Sequence, residues 1–349
     1  MKKKIALSFI IALGLDIALF FVSTRLAIIG LLLLLFCLSI FGALYVLNEV
    51  YRHTNHYKNK YLFKNKFVSG LGYREDLSRN YDIVNLGSNP AYYGFFYDNV
   101  RGQNWSTGSQ GLDMDFEILK NYHSYIKRNG FVLIPIMPFT ATSQYLKQKK
   151  QYWGDEYYSK FVRVLDLSQV RKLPNNRILT KAVRYPLIFN PKLVKYIVID
   201  DPIDNKLQVS EQTMNKLELE RDADRMMKMW LEEFDAQSLT DFLGNKYDQY
   251  VKEGQEILDE IIDFCKEREY IPVLITVPMS SELSKRFSEE FHQEMIIDFV
   301  DGLTNKDVKF LDYFIDETFQ DDDLFNGSMC FNLRGRKRFT NQVVRDLNV

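Results

Sequence analysis

Apolar positions crowd the start of the chain and then thin into short, widely spaced runs. Ile5 to Val22 is an 18-residue apolar stretch broken by one charge, Asp16. Leu26 to Leu47 is 22 residues without a charge, and only Ser23-Thr24-Arg25 separates the two. About 20 apolar residues cross roughly 30 Å of hydrocarbon, so the pattern predicts a hairpin of two transmembrane helices over residues 1–48. A cleaved signal peptide or one long tilted anchor are the alternatives. The first would carry a shorter apolar core and an A-x-A-like site, which the segment lacks.

Residues 49–80 read as a basic juxtamembrane linker, and 81–349 as an α/β domain. YDIVNLG (Tyr81 to Gly87), FVLIPIM (Phe131 to Met137), IPVLITV (Ile271 to Val277) and VKFLDYF (Val308 to Phe314) are short continuous apolar runs, as buried parallel strands require. Helical spacing joins Met114, Ile118, Leu119, Tyr122, Tyr125 and Ile126, with Asp113 as a cap and Asn129-Gly130 as its end. Further helices are expected through Tyr250 to Ile262, through Leu283, Phe287, Phe291 and Met295, and from Arg334 to Leu347. Alternating strands and helices predict a parallel sheet covered on both faces, with ligands at the strands' carboxyl ends. Residues 140–244 break the rhythm and read as a helical insertion containing an amphipathic helix through Leu217, Met226, Met227, Trp230 and Phe234.

Of 349 residues 46% are apolar and 14% aromatic, which excludes a disordered chain. The 45 basic and 46 acidic side chains give a net charge of −1, which argues against a nucleic-acid partner. Near-neutrality hides an uneven distribution. Lys2, Lys3 and Lys4 precede the first apolar run, and Arg52, Lys58, Lys60, Lys64 and Lys66 follow the second. The positive-inside rule then places both flanks and the following domain on the cytoplasmic side of a cell membrane, with lipid as a partner. Cys37, Cys265 and Cys330 show no CxxC spacing, so neither a disulfide framework nor a zinc ribbon is expected. With four histidines in the chain, no metal site and no cofactor are expected.

Ser88 follows Gly87 at the end of the first strand, where a hydroxyl faces the mouth of the sheet. This is not the GxSxG elbow, since Pro90 stands where its second glycine belongs. A plain turn with a helix cap explains Gly-Ser-Asn-Pro equally well. GQNWSTGSQG (Gly102 to Gly111) supplies a second glycine-rich loop, and FNGSMCFNLRGRKRFT (Phe325 to Thr340) leads into the last helix.

Together these blocks resemble the SGNH (GDSL-like) hydrolase superfamily, especially membrane-anchored members that modify bacterial surface polysaccharides and teichoic acids. The resemblance covers about Tyr81 to Val349 without the insertion. It implies a flavodoxin-like three-layer sandwich, Ser88 as nucleophile, Gly108 as oxyanion donor, and Asn89, Asn104 and Asn332 near substrate. It also implies an extracytoplasmic domain, opposite to the charge rule. Phe325, Asn332, Gly335 and Phe339-Thr340 keep the frame of the C-terminal F-x-D-x-x-H-L-N-x-x-G block. In that frame the catalytic His falls on Cys330 and its Asp on Gly327, and the third block, G-x-N-D, is replaced by Met137-Pro138-Phe139-Thr140.

A thiol lacks the second nitrogen that a carboxylate orients. Cys330 is therefore either a buried structural residue or a thiolate nucleophile whose pKa Arg334 and Arg336 would lower. His53 and His56 read as interfacial residues, and His123 and His292 as helix residues away from the strands' carboxyl ends. Asp321, Asp322 and Asp323 read as a solvated acidic loop. YIVIDDPID (Tyr196 to Asp204) looks like the strand-plus-aspartates motif of glycosyltransferases through Asp200, Asp201 and Asp204, but a hairpin with Asp-Pro turn chemistry explains it too. Two functions stand as expectations. One is an O-acyl esterase or acyltransferase using Ser88 on a cell-surface glycan; the other is a catalytically inactive SGNH-fold protein that binds a glycan or polysaccharide-assembly proteins.

Overall fold

A computed structural model describes residues 14, 17, 23–57, 80–148, 185–199 and 210–349. The chain divides into two compact units, Met1–Tyr57 with Thr180–Pro202, and Lys58–Leu179 with Ile203–Val349.

In the first unit α1 (Thr24–Arg52) is 29 residues long, about 44 Å at 1.5 Å per residue. Apolar side chains stand exposed along it, Leu32, Phe36 and Phe41 among them. Among the described residues it is the one helix long and apolar enough to cross a membrane. The first expected crossing, Ile5 to Val22, lies outside the described residues except for Gly14 and Ile17, both helical. Ser23 is extended (φ −162°, ψ 117°) and ends α1 on that side. Most of the basic linker, 58–79, also lies outside the described residues. Helical turns at Pro186–Phe189 and Lys195–Val198 pack in this unit, near the carboxyl end of α1. Lys195–Val198 is helical, so the sequence preceding Asp200 is neither a glycosyltransferase strand nor a hairpin arm. Asp200, Asp201 and Asp204 lie outside the described residues.

The second unit is built on a five-stranded parallel sheet in the order β2-β1-β3-β4-β5. The strands are β1 (Tyr81–Asn85), β2 (Gly102–Asn104), β3 (Ile126–Pro135), β4 (Ile271–Ile275) and β5 (Lys309–Leu311). Successive residues of a strand face opposite sides of a sheet, and two apolar clusters follow from this. Ile83, Leu133, Val273 and Ile275 pack with Phe339, Val343 and Leu347 of the last helix. Val84, Val132, Ile134 and Leu274 pack with Ile118 and Leu119 of one helix and Leu258, Ile261 and Ile262 of another. Both faces are covered, which is why the strands read as unbroken apolar runs. The covering helices are Leu112–Tyr122, Asp248–Glu267 and Leu333–Leu347. The insertion contributes Lys216–Glu233, opened by a capping box between Asn215 and Glu218.

Several expectations are corrected. Gly102–Asn104 is a strand, not only a glycine-rich loop. The helix after the second loop ends at Tyr122, and Asn129 lies inside β3 in the left-handed region (φ 59°). Its N–H donates to the Glu269 carbonyl at 2.7 Å, and the β1–β3 register shifts there, so Asn129-Gly130 forms a bulge, not a helix end. The late helix through Leu283 to Met295 is broken into Ser281–Ser284, Glu289–His292 and a π turn at Gln293–Ile297, though all four marker residues are buried. Leu217 is exposed and Leu219 takes the core position expected of it. A small antiparallel hairpin, β6 (Phe325–Gly327) and β7 (Cys330–Phe331), precedes the last helix.

Candidate functional site

In an open α/β sheet the ligand crevice forms where neighbouring strands send their connections to opposite faces. Here that point is between β1 and β3, since β1 is flanked by β2 on one side and β3 on the other. A cleft of about 230 Å³ lies there, bounded by Gly87 to Pro90 after β1 and by Met137 to Thr140 after β3. Met226, Met229 and Trp230 of the insertion helix Lys216–Glu233 form another wall, and Met329 of the β6–β7 hairpin closes it.

Ser88 lines this cleft. It holds the N-cap position of the short helix Asn89–Tyr92, but its side chain makes no capping hydrogen bond. The cap explanation of Gly-Ser-Asn-Pro therefore accounts for the backbone and not for the hydroxyl. Gly87 has φ 106°, and a Cβ there would stand 2.8 Å from Cγ of Pro135, so the turn requires glycine. The Gly87 N–H donates to Oδ1 of Asp115 at 2.8 Å, and its carbonyl accepts from the Thr107 N–H at 3.2 Å. Gly108 abuts the same turn: a Cβ on it would meet Oδ1 of Asn89 at 2.8 Å. The turn after β1 and the loop of Gly108 are thus brought together.

Asn89 lines the cleft too, whereas Asn104, Asn332 and Cys330 are not among its lining residues. Asn104 is buried in β2, where its Oδ1 accepts from Nδ2 of Asn85 at 2.9 Å and from the Ser106 N–H at 3.0 Å. Its own amide donates to the carbonyls of Ala91, Tyr92 and Phe95 at 3.2, 3.3 and 3.4 Å. Those bonds occupy it as a brace for the Ser88 helix. Asn332 caps the last helix, its Oδ1 accepting from the Gly335 N–H at 2.9 Å and its Nδ2 donating to the Asp323 carbonyl at 2.7 Å. Cys330 lies in β7, whose hairpin contacts the Ser88 helix. Burial, with the Asp222 carboxylate adding to it, pushes its thiol up to about 12 against the pull of Arg336 and Arg225. It is protonated near neutrality, which removes the basis of the thiolate alternative. Arg336 is spent elsewhere, donating to the carbonyls of Tyr92 at 3.1 Å and Phe95 at 2.6 Å.

No histidine is among the described residues that line the cleft. His53 and His56 belong to the first unit. His123 faces the Tyr270 hydroxyl at 3.2 Å, just before β4 begins, at the amino end of the sheet. His292 corrects the expectation in another way. Its Nε2 lies 2.8 Å from Oδ2 of Asp312, immediately after β5, so it does stand at a strand's carboxyl end. Burial opposes the Asp312 charge, but His292, the Phe314 N–H and the Thr276 hydroxyl hold its pKa below the ordinary value. Neither His292 nor Asp312 is among the residues that line the cleft with Ser88.

Asp115 is the residue the sequence reading passed over. It lines the cleft, is buried, and accepts at Oδ1 from the Gly87 N–H and, at 2.5 Å, from Nε2 of Gln110. Burial pushes its carboxyl up to about 7, with Gln110 and Gly87 pulling the other way. A buried titratable group in a cleft is a functional candidate on physical grounds. Phe139, in the loop that lacks G-x-N-D, packs its ring 5.0 Å from Trp230 and 5.4 Å from Phe234, giving the cleft an aromatic wall. No group of three or more His, Cys, Asp or Glu side chains suited to a metal occurs among the described residues. No protein-family model and no curated protein matches the chain.

Proposed function

We propose that the chain is a membrane-anchored, SGNH-like protein of bacterial cell-surface polysaccharide biosynthesis whose cleft holds a glycan ligand without triad hydrolysis. The observation that supports this reading is that no histidine is among the described residues lining the cleft with Ser88, while burial pushes the Cys330 thiol up to about 12. A serine hydroxyl without a proton acceptor is a weak nucleophile, whereas an indole and a phenyl ring beside hydroxyl and amide groups suit a sugar face. The anchor is proposed as a two-helix hairpin over residues 1–48, with the basic flanks favouring a cytoplasmic domain. On that side the ligand is a membrane-bound glycan precursor, not the finished polymer.

One observation favours the second reading, an O-acyl esterase or acyltransferase. The Asp115 carboxyl titrates at about 7 in the same cleft, within the range of a general base. A serine-directed phosphonate applied to the full chain in detergent separates the two. Binding without catalysis predicts no labelling at Ser88 from mildly acidic to mildly alkaline pH. Labelling of Ser88 that rises through pH about 7 and is lost in Asp115→Asn overturns it in favour of the enzyme.

A further inference from the structure

The sequence assigns residues 185–199 to the insertion of the α/β domain, yet they pack in the unit that contains α1. Their attachment is specific. The Leu187 N–H donates to Oδ1 of Asn48 at 3.2 Å, and the Tyr196 ring stacks on His56 with centroids 3.6 Å apart and planes 11° from parallel. Asn48, Tyr51, Tyr57, Leu187 and Leu193 are buried in this contact region.

The outward face is apolar. Ile188 and Phe189 are about half exposed, Val194 and Ile199 likewise, and Val198 is 88% exposed. Soluble domains seldom gather so many exposed aliphatic residues in fifteen positions without a partner. Lys192 and Lys195 are interspersed among them, and Lys195 lies over the Tyr196 ring at 4.7 Å. Apolar side chains with lysines and tyrosines among them are the composition of a membrane-interface element.

Depth decides the occupant. The uncharged run of α1, Leu26 to Leu47, is centred between residues 36 and 37. Asn48 is then about 17 Å along the axis from that centre, against a half-thickness of hydrocarbon of about 15 Å. The segment is thus fastened where the hydrocarbon gives way to headgroups, in the same compact unit as the exposed apolar side chains of α1. We infer that residues 185–199 are a second membrane contact, lying in the interface with Ile188, Phe189, Val194, Val198 and Ile199 toward the acyl chains and Lys192 and Lys195 at anionic headgroups. This rests on the reading of α1 as a span, and goes beyond it: the α/β domain's own insertion holds the bilayer surface.

Spin labels on the full chain in mixed phosphatidylcholine and phosphatidylglycerol liposomes test it. Cys265 is buried, and Cys330, only part-buried, is replaced by serine in every variant, so Cys37, exposed on α1, is the natural reference for lipid. Lys228→Cys, with its exposed side chain, is the reference for water. Val198→Cys and Phe189→Cys, made with Cys37→Ser, are expected to show oxygen accessibility well above nickel-chelate accessibility, on the side of Cys37 and several-fold away from Lys228→Cys. Val198 and Phe189 labels behaving like Lys228 overturn the inference while a lipid-like Cys37 keeps the span. Labels shielded from both reagents overturn it in favour of a covering protein. A Cys37 label open to nickel chelate overturns the span and the inference together.

Discussion

Asp115 shows how much one side chain can constrain. It occupies the buried face of its helix, in phase with Ile118, Leu119 and Tyr122, where an apolar residue is expected. That phase was legible: a carboxylate at i with apolar residues at i+3, i+4 and i+7 is a sequence signal of a buried acid. Its target was not legible, because the Gly87 N–H lies 28 residues earlier in the chain. Since burial raises its folded-state pKa to about 7 from an ordinary 3.8, the folded state prefers the protonated form. The stabilisation is fully present below the ordinary value and is lost as pH rises toward 7. Stability of the full chain in detergent is therefore expected to decline between pH about 4 and 7, and the decline to flatten in Asp115→Asn, whose Oδ1 still accepts from Gly87. Thermal melts across that range check it; an unchanged slope in the variant would show that other groups produce it.

At the level of elements, β1, β3 and β4 were readable because burial on both faces leaves no polar alternation to confuse them. β2 was not, since Gly-Gln-Asn carries no apolar residue, and it joins β1 through the backbone ladder and the Asn85–Asn104 amide bond. The late helix failed for a different reason. Its apolar spacing is right and its markers are buried, but a π turn resets the phase, and spacing alone does not register a change of helical pitch. The same element carries His292, so the misplaced histidine and the missed break are one error. The last helix is the opposite case, with its Asn332 cap, its inward Phe339 and Val343 and its length all readable. Asn332 was assigned to substrate because a functional asparagine and a capping asparagine look alike in sequence. Its two hydrogen bonds predict that Asn332→Ala costs about 1–2 kcal/mol, with no change in cleft chemistry. Urea denaturation of the variant, with glycan binding measured on the folded fraction, checks both halves.

For the whole molecule, the sequence separated an apolar start from a polar α/β body, and the compact unit that contains α1 takes in Thr180–Pro202 as well. A domain border inferred from composition follows the chain, whereas residues 185–199 leave the body of the insertion and join the unit containing α1. Nothing local announces this, because Pro-Leu-Ile-Phe reads as core wherever it occurs. At the candidate site the glycines of both loops were visible in the sequence, while the brace formed by Asn104 and Arg336 beneath Ser88 depended on contacts that no spacing encodes.

Trp230 stands half-buried in the cleft wall, Trp105 is fully enclosed, and Trp153 is the third tryptophan of the chain. The protein therefore carries an optical probe at its own cleft. A sugar stacking on that indole displaces water from it, so its emission is expected to shift to shorter wavelength as the cleft fills. The change should saturate with ligand and vanish in Trp230→Phe, which makes the unknown ligand something to be titrated by colour of light before it is identified by chemistry.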